Sequence, residues 1–256
     1  MAYSPEYRSY TAAPTTAQAV LDAGLRAYML RVYNWMTSGL LLTGIVALAI
    51  VNTGLSDLFY QVVARPGGGR VLSPTLLGFA AILAPLAFVL VLSFGINRLS
   101  RPAAQALYWA FCVAMGASLT NIFLIYTGGS IVRVFFITAA TFATMSIWGY
   151  TTQRDLTRMG SFLMMGLIGI IIASLVNIFL ASSAMQFVIS IIGVIVFTGL
   201  TAHDTQRIKA DYVAYAYAEG TEEAAKRSVF DALALYLNFI NLFMLLLNLL
   251  GARNNE

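Results

Sequence analysis

The sequence predicts an all-α integral membrane protein with seven transmembrane helices, and three observations predict it. Of 256 residues, 59% are hydrophobic and only 10% are charged, against roughly 45–50% and about 25% in soluble domains. Seven apolar stretches are each long enough to cross a bilayer core of about 30 Å at about 1.5 Å per residue. The charged residues gather between those stretches, where water can reach them. The runs are too long for the segments of about ten alternating residues that build a membrane β-barrel.

The first element, residues 1–31, reads as a cytoplasmic N-terminal segment. Its opening, Met1-Ala2-Tyr3-Ser4-Pro5-Glu6, lacks the basic region and apolar core of a signal peptide. Val20, Leu21, Leu25, Tyr28 and Met29 share one helical face, which predicts a short helix along the membrane interface. The transmembrane domain, 32–250, takes its spans at 32–51, 75–94, 103–125, 134–150, 162–181, 186–202 and 229–250, and a short extracytoplasmic tail, 251–256, follows. Pro85 lacks the amide that would bond one turn back, so it predicts a kink in the second span. Pro66-Gly67-Gly68-Gly69 and Gly128-Gly129 predict turns.

The basic residues set the orientation. Arg8, Arg26, Arg31, Arg98, Arg101, Arg154, Arg158, Arg207, Lys209, Lys226 and Arg227 flank spans on the side of the N-terminus. Arg65, Arg70, Arg133 and Arg253 are left for the other side. The positive-inside rule then places the N-terminus in the cytoplasm and the C-terminus outside. The net charge of +4 is too small for a nucleic-acid surface, so the bilayer is the expected partner. A single cysteine, Cys112, can form no intramolecular disulfide, and His203, the one histidine, cannot by itself hold zinc.

An internal repeat joins the middle spans. Ser118-Leu119-Thr120-Asn121-Ile122-Phe123-Leu124 recurs as Ser174-Leu175-Val176-Asn177-Ile178-Phe179-Leu180, and Thr152-Gln153-Arg154 recurs as Thr205-Gln206-Arg207. Spans three and four thus read as a parallel copy of spans five and six. Asn121 and Asn177 should sit at matching depths and make polar contacts to other helices, because an amide facing lipid is costly.

Ionisable groups near spans are the candidate functional residues. Asp204 lies in Leu200-Thr201-Ala202-His203-Asp204-Thr205-Gln206-Arg207 at the end of span six, three residues before Arg207, a natural ion-pair partner. Asp231 lies near the start of span seven, where a helix dipole favours an acid, and Asn238 falls two turns later on the same face. Both lysines precede span seven, so no buried lysine can form a retinal Schiff base. No Gly-rich phosphate loop, His-Glu-x-x-His pair or Gly-x-Ser-x-Gly elbow occurs. Neither an enzyme nor a bound cofactor is expected.

Three motifs together, Gly149-Tyr150-Thr151-Thr152-Gln153-Arg154-Asp155-Leu156, the Asp204 segment, and Leu235-Tyr236-Leu237-Asn238-Phe239-Ile240-Asn241-Leu242-Phe243, strongly resemble the bacterial branch of the Bax inhibitor 1 family. The resemblance implies six helices around a central seventh, a place in the bacterial inner membrane, and a pH-sensitive calcium leak channel or exchanger. It also implies two aspartates that share a proton between helices six and seven. The first matches Asp204, a calcium ligand in that reading. The second falls on Asn238, where the family's Leu-Tyr-Leu-Asp-Phe-Ile-Asn reads Leu-Tyr-Leu-Asn-Phe-Ile-Asn.

That departure has physical consequences. Two close carboxylates cannot both ionise cheaply, whereas an amide removes the repulsion and can donate a hydrogen bond. Calcium also loses one charged oxygen ligand. PH gating and calcium binding are therefore expected to be weakened or altered. Straight-helix arithmetic puts Asp231 about 28 Å from the outer edge and Asp204 about 27 Å, nearly level. Asp231 is thus the second candidate partner of Asp204. A different functional class stays open, a non-transporting regulator that binds a membrane-embedded ATP-dependent protease or another stress-response partner through the polar N-terminal residues.

Overall fold

The structure, a computed structural model, describes residues 16–65, 69–95, 98–215 and 221–254. Its elements are α1 (Thr16–Asn52), α2 (Ser56–Phe59), β1 (Tyr60–Arg65), β2 (Gly69–Pro74), α3 (Leu76–Gly95), α4 (Arg101–Ser118), α5 (Thr120–Ile125), α6 (Gly128–Thr151), α7 (Thr157–Leu180), α8 (Ser183–Tyr215) and α9 (Thr221–Leu250). Among the described residues, seven segments are long and apolar enough to cross a membrane, with α4 and α5 counted as one. The chain is an all-α membrane protein.

Several elements differ from expectation. Among the described residues no separate interfacial helix precedes the first span, because α1 runs unbroken for 37 residues. The face carrying Leu25, Tyr28 and Met29 continues into Val32 and Met36, and all five are buried in the core. A helix whose apolar stripe is already satisfied by the bundle has no reason to turn along the membrane. Gly128 and Gly129 open α6 instead of forming a turn, and Thr127 caps them by accepting the Ser130 N–H at 3.3 Å. The expected turn at Pro66 to Gly68 lies outside the described residues, but it is flanked by antiparallel strands paired from Tyr60↔Pro74 to Arg65↔Gly69. Helix α3 continues through the buried Pro85. The third span breaks at Leu119, where the Tyr60 hydroxyl donates to the freed Ser118 carbonyl at 3.2 Å.

Helix α9 is the most enclosed span, with more than half of it buried. Four of the other spans, α1, α4, α6 and α8, pack against it, while α3 and α7 join the bundle chiefly through α4 and α8. Four helices thus contact α9 most extensively, and two lie towards the outside of the bundle. Buried polar contacts fix this register. Thr43 of α1 donates to the Cys112 carbonyl of α4 at 3.0 Å, so Tyr236 of α9 donates its hydroxyl to Thr43 at 2.8 Å. Such contacts matter in a bilayer, where apolar burial gives helices little preference for one another.

Helix α8 has 33 residues, about 50 Å of helix. It therefore extends beyond a core of about 30 Å. Hydropathy falls after Ala202, yet the helix continues for three more turns. That extension carries Asp204, Arg207 and Asp211 on one face of the N-terminal end of the bundle.

Candidate functional site

Helices α8 and α9 run antiparallel, so climbing α8 from 204 to 211 means descending α9 from 238 towards 231. This crossing puts Asp204 opposite Asn238, whose amide donates to Asp204 Oδ2 at 2.7 Å. The other carboxylate oxygen, Oδ1, faces His203 Nδ1 at 3.3 Å and accepts from Arg207 Nε at 3.4 Å. Asp231 is not the direct neighbour of Asp204. It reaches the same cluster through Arg207, whose Nη1 lies 3.9 Å from Asp231 Oδ1 and 3.4 Å from Asp211 Oδ2.

A guanidinium thus stands among three carboxylates. Its planar, permanently charged fork suits several acceptors at once. Tyr28 of α1 completes the ring by donating to Asp231 Oδ2 at 2.6 Å, and its ring packs 4.9 Å from that of Tyr212. Three helices therefore meet at one polar cluster beneath the end of the bundle. Side-chain exposure is 18% for Asp204 and 16% for Asp231. Largely desolvated acids of this kind need partners, and each has at least two.

Small residues permit the close approach. A β-carbon at Gly160 of α7 would overlap the His203 ring, and one at Gly149 of α6 would overlap the Ala202 carbonyl. One turn from Gly149, Tyr33, Ser146 and Thr205 form a hydroxyl chain that ends on the Thr201 carbonyl. The repeated motifs also meet here. Gln206, from the second copy, accepts the Leu156 N–H at 2.9 Å and donates to the Arg154 carbonyl of the first copy at 2.8 Å. In the adjoining loop, the Thr157 hydroxyl and N–H hold the exposed Asp155 carboxyl below the usual carboxylate range.

The two repeated asparagines are used differently. Each lies at the same offset from the start of its span, Arg101 or Thr157. Asn177 contacts Gln186 at 3.3 Å and accepts the Ser182 N–H at 3.0 Å, closing the α7–α8 turn where Ala181 takes φ 48°. Asn121 follows the break at Leu119, and its buried Oδ1 accepts no hydrogen bond among the described residues. The break falls two residues before Asn121. Arg207 does make its interhelical contact, to Asp231.

Tyr28 and Asp211 join the cluster without being marked by the family motifs. Asp211 was readable as the i+4 partner of Arg207. Nothing local marks Tyr28, which lies 203 positions from Asp231. Among the described residues, no three His, Cys, Asp or Glu side chains are grouped to hold a metal ion. Arg207 occupies the space between the carboxylates. The arrangement ties α8 to α9 by one charged hydrogen bond and, through Arg207, by an ion pair at 3.9 Å.

A family model described as inhibitor of apoptosis-promoting Bax1 matches residues 25–255. An uncharacterized protein of Rickettsia prowazekii is 44% identical over 246 residues, covering 96% of this chain and 98% of its own. The inner membrane protein YbhL of Escherichia coli K12 is 44% identical over 232 residues, 90% of this chain and 94% of its own. An uncharacterized membrane protein of Streptococcus pyogenes is 33% identical over 230 residues, again 90% and 94%.

Proposed function

The chain belongs to the Bax inhibitor family of multi-pass membrane proteins, and from that premise we propose that it is a calcium leak pathway of the bacterial inner membrane. The contact between Asp204 and Asn238 closes its N-terminal end, which faces the cytoplasm. The single observation that carries the reading is the 2.7 Å hydrogen bond joining α8 to α9 at a largely buried acid. Calcium is cargo in this reading, not a resident ion. The hydrogen bond from Asn238 needs no shared proton, so the parent should leak slowly and with little dependence on pH.

The test uses the full chain in liposomes loaded with a calcium dye. Asp204→Asn removes the charge that both Asn238 and Arg207 address. It should raise calcium entry several-fold and leave no pH dependence between pH 5 and 8. A variant indistinguishable from the parent would reduce Asp204 to a boundary residue held by Arg207.

Orientation is tested separately, through Ser4→Cys and Asn255→Cys in a Cys112→Ala background. In intact spheroplasts an impermeant maleimide should label position 255 and spare position 4. Equal labelling would overturn the assignment of the two ends.

A further inference from the structure

The bundle leaves a lateral groove between α1 and α6. Each of these helices packs against α9, yet they make little contact with each other. The resulting cavity has a volume of about 850 Å³. Met36, Leu40 and Gly44 line it from α1, and Phe135 and Ala143 from α6. Its floor is Phe142 against Phe239, with ring centroids 5.6 Å apart. The α1 lining runs from Arg26 to Leu48, about 33 Å along the axis, which is close to the depth of a bilayer core.

An apolar slot open to the side of a membrane protein is filled by hydrocarbon. Its walls do not choose among lipids, because every lipid tail is as apolar as leucine. Selectivity must come from the mouth. There the exposed Arg26 lines the groove and makes no ion pair among the described residues. A second cation stands beside the mouth: Lys209 Nζ donates to the Tyr150 carbonyl at 2.9 Å and lies 5.0 Å over the ring of Tyr150, which also lines the groove. An arginine fork matches phosphate oxygens in pairs, and two cations together disfavour an ammonium headgroup.

The geometry points to a binding site for one anionic phospholipid, with an acyl chain in the α1–α6 groove and its phosphate on Arg26. This site adjoins the Asp204 cluster through Tyr33 and Ser146, which line the groove and lead to Thr205, but lipid binding there does not depend on ion flux. It also explains why a glycine faces the groove at 44, where a β-carbon would meet no heavy atom of another element within 4 Å. A larger side chain there would enter the space assigned to the acyl chain.

The full chain, stripped of lipid in detergent, is offered equal amounts of phosphatidylglycerol and phosphatidylethanolamine. Native mass spectrometry then counts the lipids retained. The parent should keep phosphatidylglycerol in several-fold excess. Arg26→Gln should abolish the preference without reducing the number of lipids, and Arg26→Glu should reverse it. Gly44→Phe should lose the bound lipid, and Ala143→Leu gives a second, milder filling of the same groove if the first variant folds poorly. Equal retention of both lipids by the parent would overturn the site. So would a full lipid complement on both groove-filling variants, or a lipid-independent dimer whose formation those two variants abolish.

Discussion

Replacing Asn238 by aspartate should convert a contact that holds at every pH into one that holds only in acid. The parent amide donates to Asp204 at 2.7 Å. A carboxylate in its place has no proton to give unless the pair shares one. At pH 5 the pair can share a proton, and α8 stays bound to α9. Towards pH 8 both groups ionise, and two unit charges about 4 Å apart repel by about 4 kcal/mol at an effective dielectric of 20. Arg207 faces the pair from α8 and offsets part of this, whereas Asp231, held by Tyr28 of α1, adds to it; His203 also contacts Asp204 Oδ1. Calcium entry into dye-loaded liposomes should then rise several-fold from pH 5 to pH 8 in Asn238→Asp and stay low in the parent. Flux that follows the parent throughout would remove this contact from the gate. If Asp231→Asn alters the pH response while Asn238→Asp does not, Asp231 is the controlling acid and Arg207 the coupling element.

Leucine at Gly149 should separate α6 from α8 and destabilise the whole bundle. A β-carbon there meets the backbone carbonyl of Ala202, not the flexible end of a side chain. No rotamer change relieves such an overlap, so one of the helices must move. Overpacking typically costs about 1–3 kcal/mol, and a backbone contact belongs at or above the top of that range. The shift would also break the Ser146–Thr205 hydroxyl contact one turn away and displace Asp204, two residues beyond Ala202. Far-UV circular dichroism of the solubilised chain should show a clear fall in melting temperature. Gly44→Ala is the matched control, because its β-carbon enters open space and alanine favours helix by about 0.8–1.0 kcal/mol. A Gly149→Leu protein as stable as Gly44→Ala would show that this close approach does not limit the fold.

Much of the architecture was legible without coordinates. Hydropathy summed over about twenty residues is a local property, and a bilayer imposes it on every span. Hence the second span, expected at 75–94, forms at Leu76–Gly95. Where local signals compete with packing, the helix bounds follow the packing. Span six ended at 202 by hydropathy, but α8 runs on to Tyr215 because its polar face is matched by α9 and the α6–α7 loop. The apolar face at Leu25 to Met29 fits an interfacial helix as well as a buried one, and only the neighbours of α1 decide between them.

The sequence by itself determined the class, the number of spans and the two helix faces that carry Asp204, Arg207, Asp231 and Asn238, since these depend on composition and on the helical period. The tertiary structure alone decided that Asn238 touches Asp204 directly, that Arg207 stands between the acids, and that Tyr28 closes the cluster. It also decided that α1 and α6 part to leave a groove. Helical periodicity states which side chains share a face. It does not state how far two antiparallel helices slide past each other, and a slide of one turn, about 5.4 Å, exchanges one partner for the next.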